Sequence, residues 1–162
     1  MSCVYCILAG LADLAASATN PENHAIYREM VDLEIVSSFS FQSDRWLADV
    51  APHLLSVQQL TGLREAKHRA RLREQVEAKV PAHLLYKKGW PTIRPTKAEA
   101  VLLSEVRRAV SEIMQFQGMQ YTEPEEISAR YAELIAINEQ RHGSMIDAVK
   151  IVPLQQSLWN IT

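Results

Sequence analysis

Glycine is scarce in this chain, with five residues in 162, and convincing alternating runs of strand-forming residues are hard to find. Alanine, leucine, glutamate and arginine are abundant instead, a mix that favours helix, so the chain reads as all-α. Cysteine is nearly absent. Cys3 and Cys6 form a lone Cys-x-x-Cys at the N-terminus, without the four ligands of a zinc site or the βαβ unit of a thioredoxin-type motif. They read as two reduced cysteines on a helix face. No long apolar run occurs either: residues 4–18 are apolar but include Asp13 and are too short to span a bilayer. An Ala-Ser-Ala end at 16–18 hints at a signal cleavage site, but no Lys or Arg precedes it. A cytoplasmic protein without a membrane segment is the expectation. Net charge is only −2, so no global field draws the chain to nucleic acid or an anionic surface.

The hydrophobic content of 48% and charged content of 22% suit one soluble helical domain over 1–162. It divides into an N-terminal packing helix (1–20), a bundle (22–151) and a tail (152–162). Asn20-Pro21-Glu22 looks like a helix start, with proline and an acid in the first turn. That first bundle helix runs to the low forties. A second runs from Pro52 to about Lys79. Three prolines and a glycine make 80–95 an irregular connection. Thr96 with Glu99 predicts a capping box for a third helix ending near Gly118, and Thr122, Pro124 and Glu125 open a fourth that runs to about Ile151. Short links predict antiparallel hairpins for helices one and two and for three and four. The 80–95 segment, at ~3.3 Å per residue, reaches roughly 50 Å, enough to traverse a helix of this length. The expected architecture is a four-helix bundle with one long central crossover and short N- and C-terminal helices.

One four-residue pattern occurs twice, as Glu65-Ala-Lys-His68 and Glu139-Gln-Arg-His142. On a helix, Glu-x-x-His points a carboxylate and an imidazole from one face. The second helix places Glu65 and His68 on a stripe with Leu54, Val57, Thr61, Leu72 and Val76. The fourth places Glu139 and His142 with Ala132, Ile135, Ile146 and Val149. On the third, Glu105 is central to Ala98, Leu102, Ala109 and Phe116. On the first, Glu34 falls within Ile26, Tyr27, Met30, Leu33, Ser37 and Phe41, with Glu29 the reserve at its edge. Glu34, Glu65, His68, Glu105, Glu139 and His142 are therefore the candidate ligands of a two-metal centre. Burying such a set without metal would be costly, and its oxygen-rich chemistry suits iron, with manganese possible.

At these residues the chain resembles the ferritin-like di-iron carboxylate superfamily, which includes bacterioferritins, rubrerythrins and acyl-carrier-protein desaturases. Glu65-Ala-Lys-His68-Arg-Ala-Arg-Leu72 is similar to the second-helix motif of rubrerythrin-like proteins, and Glu139-Gln-Arg-His142-Gly143 to a desaturase signature. The basic run Arg69, Arg71, Arg73 and the 80–95 crossover depart from the family pattern. The resemblance implies two Fe, reaction with O2 or peroxide, and oxidation of a small organic substrate or of Fe(II) itself, with an electron donor and a homo-oligomer or larger complex as partners. Tyr27 and Tyr131 lie near the ligand positions and read as core tyrosines, or else as hydrogen-bond or electron-transfer groups.

A second reading is a non-catalytic helical assembly or adaptor protein acting through protein–protein contacts, with the apolar N-terminal helix and a tail carrying Leu154, Leu158, Trp159 and Ile161 available for docking. A third is nucleic-acid binding through Arg64, Lys67, Arg69, Arg71 and Arg73, for which a solvated helix face is the plainer account. Tyr86 and Trp90 on the crossover read as a plug for the bundle, or as the cover of a substrate channel.

Overall fold

The computed structural model describes the backbone of residues 4–85 and 90–150 and the side chains of these as far as Arg141. The described residues are helical, with no named strand: α1 (Leu11–Thr19), α2 (His24–Ser37), α3 (Val57–Glu77), α4 (Lys97–Met114) and α5 (Pro124–Lys150), with four short 3-10 turns between them. The all-α expectation holds. Among the described residues no helix is long and apolar enough to cross a membrane. The expected C-terminal tail and the Tyr86 position lie outside the described residues.

Two compact units divide the chain, one formed by residues up to 79 with 108–118, the other by 80–107 with the residues from 119 onward. The core of the first contains Tyr5, Leu14, Tyr27, Val31, Leu47, Ala48, Ala51, Leu55 and Leu63. Helix α1 begins at Leu11, later than the apolar run suggests, because Gly10 starts it and the Asp13 carboxylate accepts the Gly10 N–H at 3.2 Å. Cys6 precedes the helix and is a free thiol; Cys3 lies outside the described residues. The α1 C-terminus is closed from beyond. Asn23 Nδ2 donates to the Ser17 carbonyl at 2.9 Å, and His24 Nε2 lies 3.0 Å from that of Ala18. These are carbonyls a helix end leaves without partners.

Helix α2 stops at Ser37, short of the predicted low forties. Ser38 takes a left-handed conformation (φ 56°), its N–H donating to the Glu34 carbonyl at 2.8 Å. Two α3 side chains secure that ending. Arg69 donates from Nε to Ser38 Oγ at 2.8 Å and from its guanidinium to the Ile35 carbonyl at 3.2 Å, while the Arg73 guanidinium lies 4.1 Å over the Phe39 ring. A cation at a helix C-terminus also meets the negative end of the helix dipole.

The pairing of α2 with α3 corrects the predicted antiparallel hairpin. Gln59 bonds Asp32 and the Arg28 carbonyl, Gly62 faces Ile35, and Arg69 reaches Ile35 and Ser38. Contacts thus advance in the same direction along both helices, so the two run parallel. The chain returns through residues 39–56, a segment with two 3-10 turns whose ends read from the sequence as parts of the two helices. Close approach needs Gly62, since a Cβ there would sit 2.9 Å from Ile35 Cγ2.

In the second unit, Thr96 caps α4 as predicted. Its N–H and hydroxyl donate to the Glu99 carboxylate at 2.8 and 2.9 Å, and Thr96 Oγ1 accepts the Glu99 N–H at 3.3 Å. For α5 the cap falls one residue later than expected, with the Glu126 carboxylate 3.4 Å from the Glu123 N–H. Helices α4 and α5 form the expected antiparallel pair: Ser104 bonds the Thr122 carbonyl, Arg107 that of Gln120, and Leu103 packs with Ile127 and Tyr131.

Candidate functional site

The predicted ligand set does not gather among the described side chains. Glu34 is buried as expected, at 3% exposure, but its carboxylate has other partners. Oε1 accepts the N–H groups of Phe41 and Leu47, both at 2.7 Å, and Oε2 accepts that of Ala48 at 3.0 Å. Glu65 and His68 are exposed on α3, Glu105 is exposed on α4, and Glu139 is exposed on α5; Glu29, the reserve, is exposed too. The His142 side chain lies outside the described residues. No group of three or more His, Cys, Asp or Glu side chains suited to a metal ion occurs among the described residues.

The helical phase explains the difference. The buried face of α3 is Leu63, Ala66, Ala70 and Arg73, not the stripe through Glu65 and His68. Leu54 lies in a turn before the helix and Val57 is its 81% exposed first residue, so neither sets its phase. Small alanines and the Arg73 stem pack there instead, which a search for large apolar residues passes over. On α4 the inward residues are Ala100, Leu103, Ser104 and Val106, about one position, or 100°, from the predicted stripe. On α5, Ile127 and Tyr131 are buried.

Glu34 and Tyr27 together organise the 39–51 return. The Tyr27 hydroxyl donates to the Leu47 carbonyl at 2.8 Å and accepts the Ala51 N–H at 2.9 Å. Burial pushes the Tyr27 pKa up to about 12, and burial also raises that of Glu34 although its three backbone N–H bonds pull the other way. Both groups answer backbone polarity inside a core, which an unpaired buried amide would otherwise make costly. Tyr27 is thus a core tyrosine with a structural bond. Among the candidates whose side chains are described, Glu34 alone lies inside as its helical phase predicts; its partners are not legible in the sequence because all three are main-chain groups.

The end of α2 and the start of the return present an apolar surface. Met30, Leu33, Val36, Phe39 and Phe41 line a shallow depression with Glu34, Ser37 and Ser40. Leu33 is 68% and Val36 82% exposed. The α3 basic run turns partly inward at Arg69 and Arg73, and Lys67 pairs with Asp49 at 2.6 Å beside the Trp46 ring.

A second concavity lies in the second unit, where Trp90, Leu103, Arg107, Tyr121, Ile127, Arg130 and Tyr131 enclose about 130 Å³. The Trp90 and Tyr131 rings meet edge to face, with centroids 5.0 Å apart, and both side chains bond the Leu84 carbonyl, Trp90 Nε1 at 3.1 Å and the Tyr131 hydroxyl at 3.4 Å. Burial raises the Tyr131 pKa, while the Arg107 charge opposes that rise. The terminal nitrogen of Arg107 donates to the Gln120 carbonyl at 2.8 Å, but its buried Nε has no hydrogen-bond partner among the described residues. Arg130 pairs with Glu133 at 2.7 Å and lies over the Tyr121 ring.

No family model, curated protein or solved structure matches this chain.

Proposed function

We propose that this chain is a non-catalytic helical adaptor that acts through protein–protein contacts. The observation that carries this reading is the apolar surface at the end of α2, where Leu33, Val36 and Phe39 stand exposed beside a tightly bonded return. Contiguous exposed apolar side chains are the usual mark of a surface that another protein covers. The Glu34 and Tyr27 bonds hold the shape of that surface before any partner arrives, which limits the ordering cost of association.

The rival reading is a ferritin-like four-helix bundle around two irons that oxidises a small substrate or Fe(II). What favours it is that both Glu-x-x-His patterns fall within regular helix, in α3 and α5. It requires Glu34 to exchange three backbone N–H bonds for metal, and the parallel run of α2 and α3 to fit a bundle whose sequence reading expects them antiparallel.

One paired experiment separates the two. The chain is expressed in iron-supplemented medium with Val36 replaced by a photo-reactive phenylalanine, irradiated in the cell, purified and analysed for metal. The adaptor reading expects a discrete cross-linked adduct that disappears in the Leu33→Glu background, and no metal above trace. Two irons per chain, or a chain that forms no adduct, overturns it.

A further inference from the structure

Resting on that adaptor reading, we propose that the partner covering the apolar face of α2 is a second copy of this chain, docked antiparallel about a two-fold axis at Leu33. The face is a continuous stripe. At 100° per residue, Ile26, Met30, Leu33, Val36 and Ser37 share a side of α2 distinct from that of the core residues Tyr27, Val31 and Glu34. Leu33 and Val36 are mostly exposed, and Ile26 and Phe39 are exposed over nearly half their surface. Taking about 200 Å² for each large side chain, these four leave between roughly 400 and 500 Å² of apolar surface in water. A standard interface buries about 800 Å² per partner, a little over half of it apolar. The stripe therefore supplies the apolar part of one such interface.

Shape selects the second copy over a partner of another kind. Val36 lines two depressions and stands between them as a ridge: one holds Met30, Leu33 and Phe39, the other Ile35, Gln59 and Gly62. A patch that carries a ridge beside a groove is complementary to itself, and mating the two about a two-fold axis closes a dimer. Seating Val36 in the Met30 depression of a second copy fixes the register. Leu33 then meets its own counterpart on the axis, Ile26 faces the corner at Phe39 and Ser40, and Glu29 faces Ser37. Apolar residues meet apolar residues. Glu29, the acid at the edge of the stripe, meets a hydroxyl and not another acid, so the pairing brings no like charges together. Asp32 is engaged within its own chain by Gln59 at 2.9 Å.

The test is sedimentation equilibrium of the full-length chain at concentrations up to about 0.1 mM, where a micromolar Kd leaves most copies paired. The wild type is expected to form a dimer. Leu33→Glu, which sets two like charges on the axis, is expected to be a monomer with unchanged helical circular dichroism. Glu29 and Ser37 are both exposed, so changing them leaves the core alone. Ser37→Lys is expected to tighten the dimer roughly threefold at low salt, because it sets a cation against Glu29 twice over. Adding Glu29→Lys to that background is expected to reverse the gain, a pattern that misfolding could not produce. A monomeric wild type, a dimer indifferent to Leu33→Glu, or a Ser37→Lys chain that pairs no more tightly than wild type overturns the proposal. The cross-link at position 36 reports on the adaptor reading separately. An adduct of twice the chain mass supports both, an adduct of any other mass removes this proposal alone, and no adduct removes both.

Discussion

Arg69 on α3 donates to the hydroxyl of Ser38, the residue at which α2 turns left-handed, across a gap of 2.8 Å. One helix thus ends its neighbour. The arginine belongs to the basic run that reads from sequence as a solvated face or a phosphate track, and the structure gives it a structural partner.

Arg69→Ala should destabilise the protein by about 1–2 kcal/mol, the scale of a partly buried charged hydrogen bond. Arg71→Ala, at an exposed neighbouring position, should stay within about 0.5 kcal/mol. Urea denaturation of both variants checks the contrast, and similar losses would refute the capping role.

Glu34→Leu removes the acceptor of three backbone amides and should cost about 3 kcal/mol or more, because buried donors lose their partners. Glu34→Gln should cost less, since one oxygen remains. The folded carboxyl has a raised pKa, chiefly through burial, so the folded state binds its proton more tightly than the unfolded chain. The resulting stabilisation is complete below the unfolded value and is lost as pH rises through the raised folded value. Over that window wild type should lose stability relative to Glu34→Gln, as denaturation at a series of pH values would show.

Gly62→Ala should destabilise the chain by about 1 kcal/mol despite alanine's better helix propensity. The propensity gain is about 1 kcal/mol, but the new Cβ would meet Ile35 Cγ2 at 2.9 Å, and overpacking typically costs 1–3 kcal/mol. Ile35→Ala should absorb the clash, so a double-mutant cycle should show a coupling between the two positions.

Glu99 titrates below the ordinary carboxylate range, first because the Thr96 N–H and hydroxyl bond its charged form, with His83 adding at 2.7 Å. A lowered folded pKa stabilises the protein above the unfolded value, and that contribution disappears as pH falls through the folded one. Thr96→Ala should move the Glu99 side-chain titration upward in NMR; an unmoved curve would dismiss the capping box as its cause.

Helical content and the α4 cap were legible because they depend on neighbours in sequence: Thr96 and Glu99 need only three residues of spacing. Glu34 was placed inside by its helical phase. What escaped was the direction of α2 against α3, since the 39–56 return holds no strong glycine or long polar signal and reads as helix on both sides. The phases of α3 and α4 escaped as well. Their packing uses Ala66, Ala70, Ala100 and Ser104, residues too small to dominate a search for apolar stripes, while Glu65, His68, Glu105 and Glu139 fell on the more conspicuous periodicity.

One carboxylate holds the amides of Phe41, Leu47 and Ala48 at once. Any excursion that swings Glu34 away frees all three hydrogens at once, and the Leu47 carbonyl contact of Tyr27 hangs on the same stretch. The return is therefore expected to open as one cooperative event, with similar exchange rates for amides seven residues apart in sequence, which hydrogen exchange would check. An interior acid in this way makes a loop without strands behave like a single hinged plate.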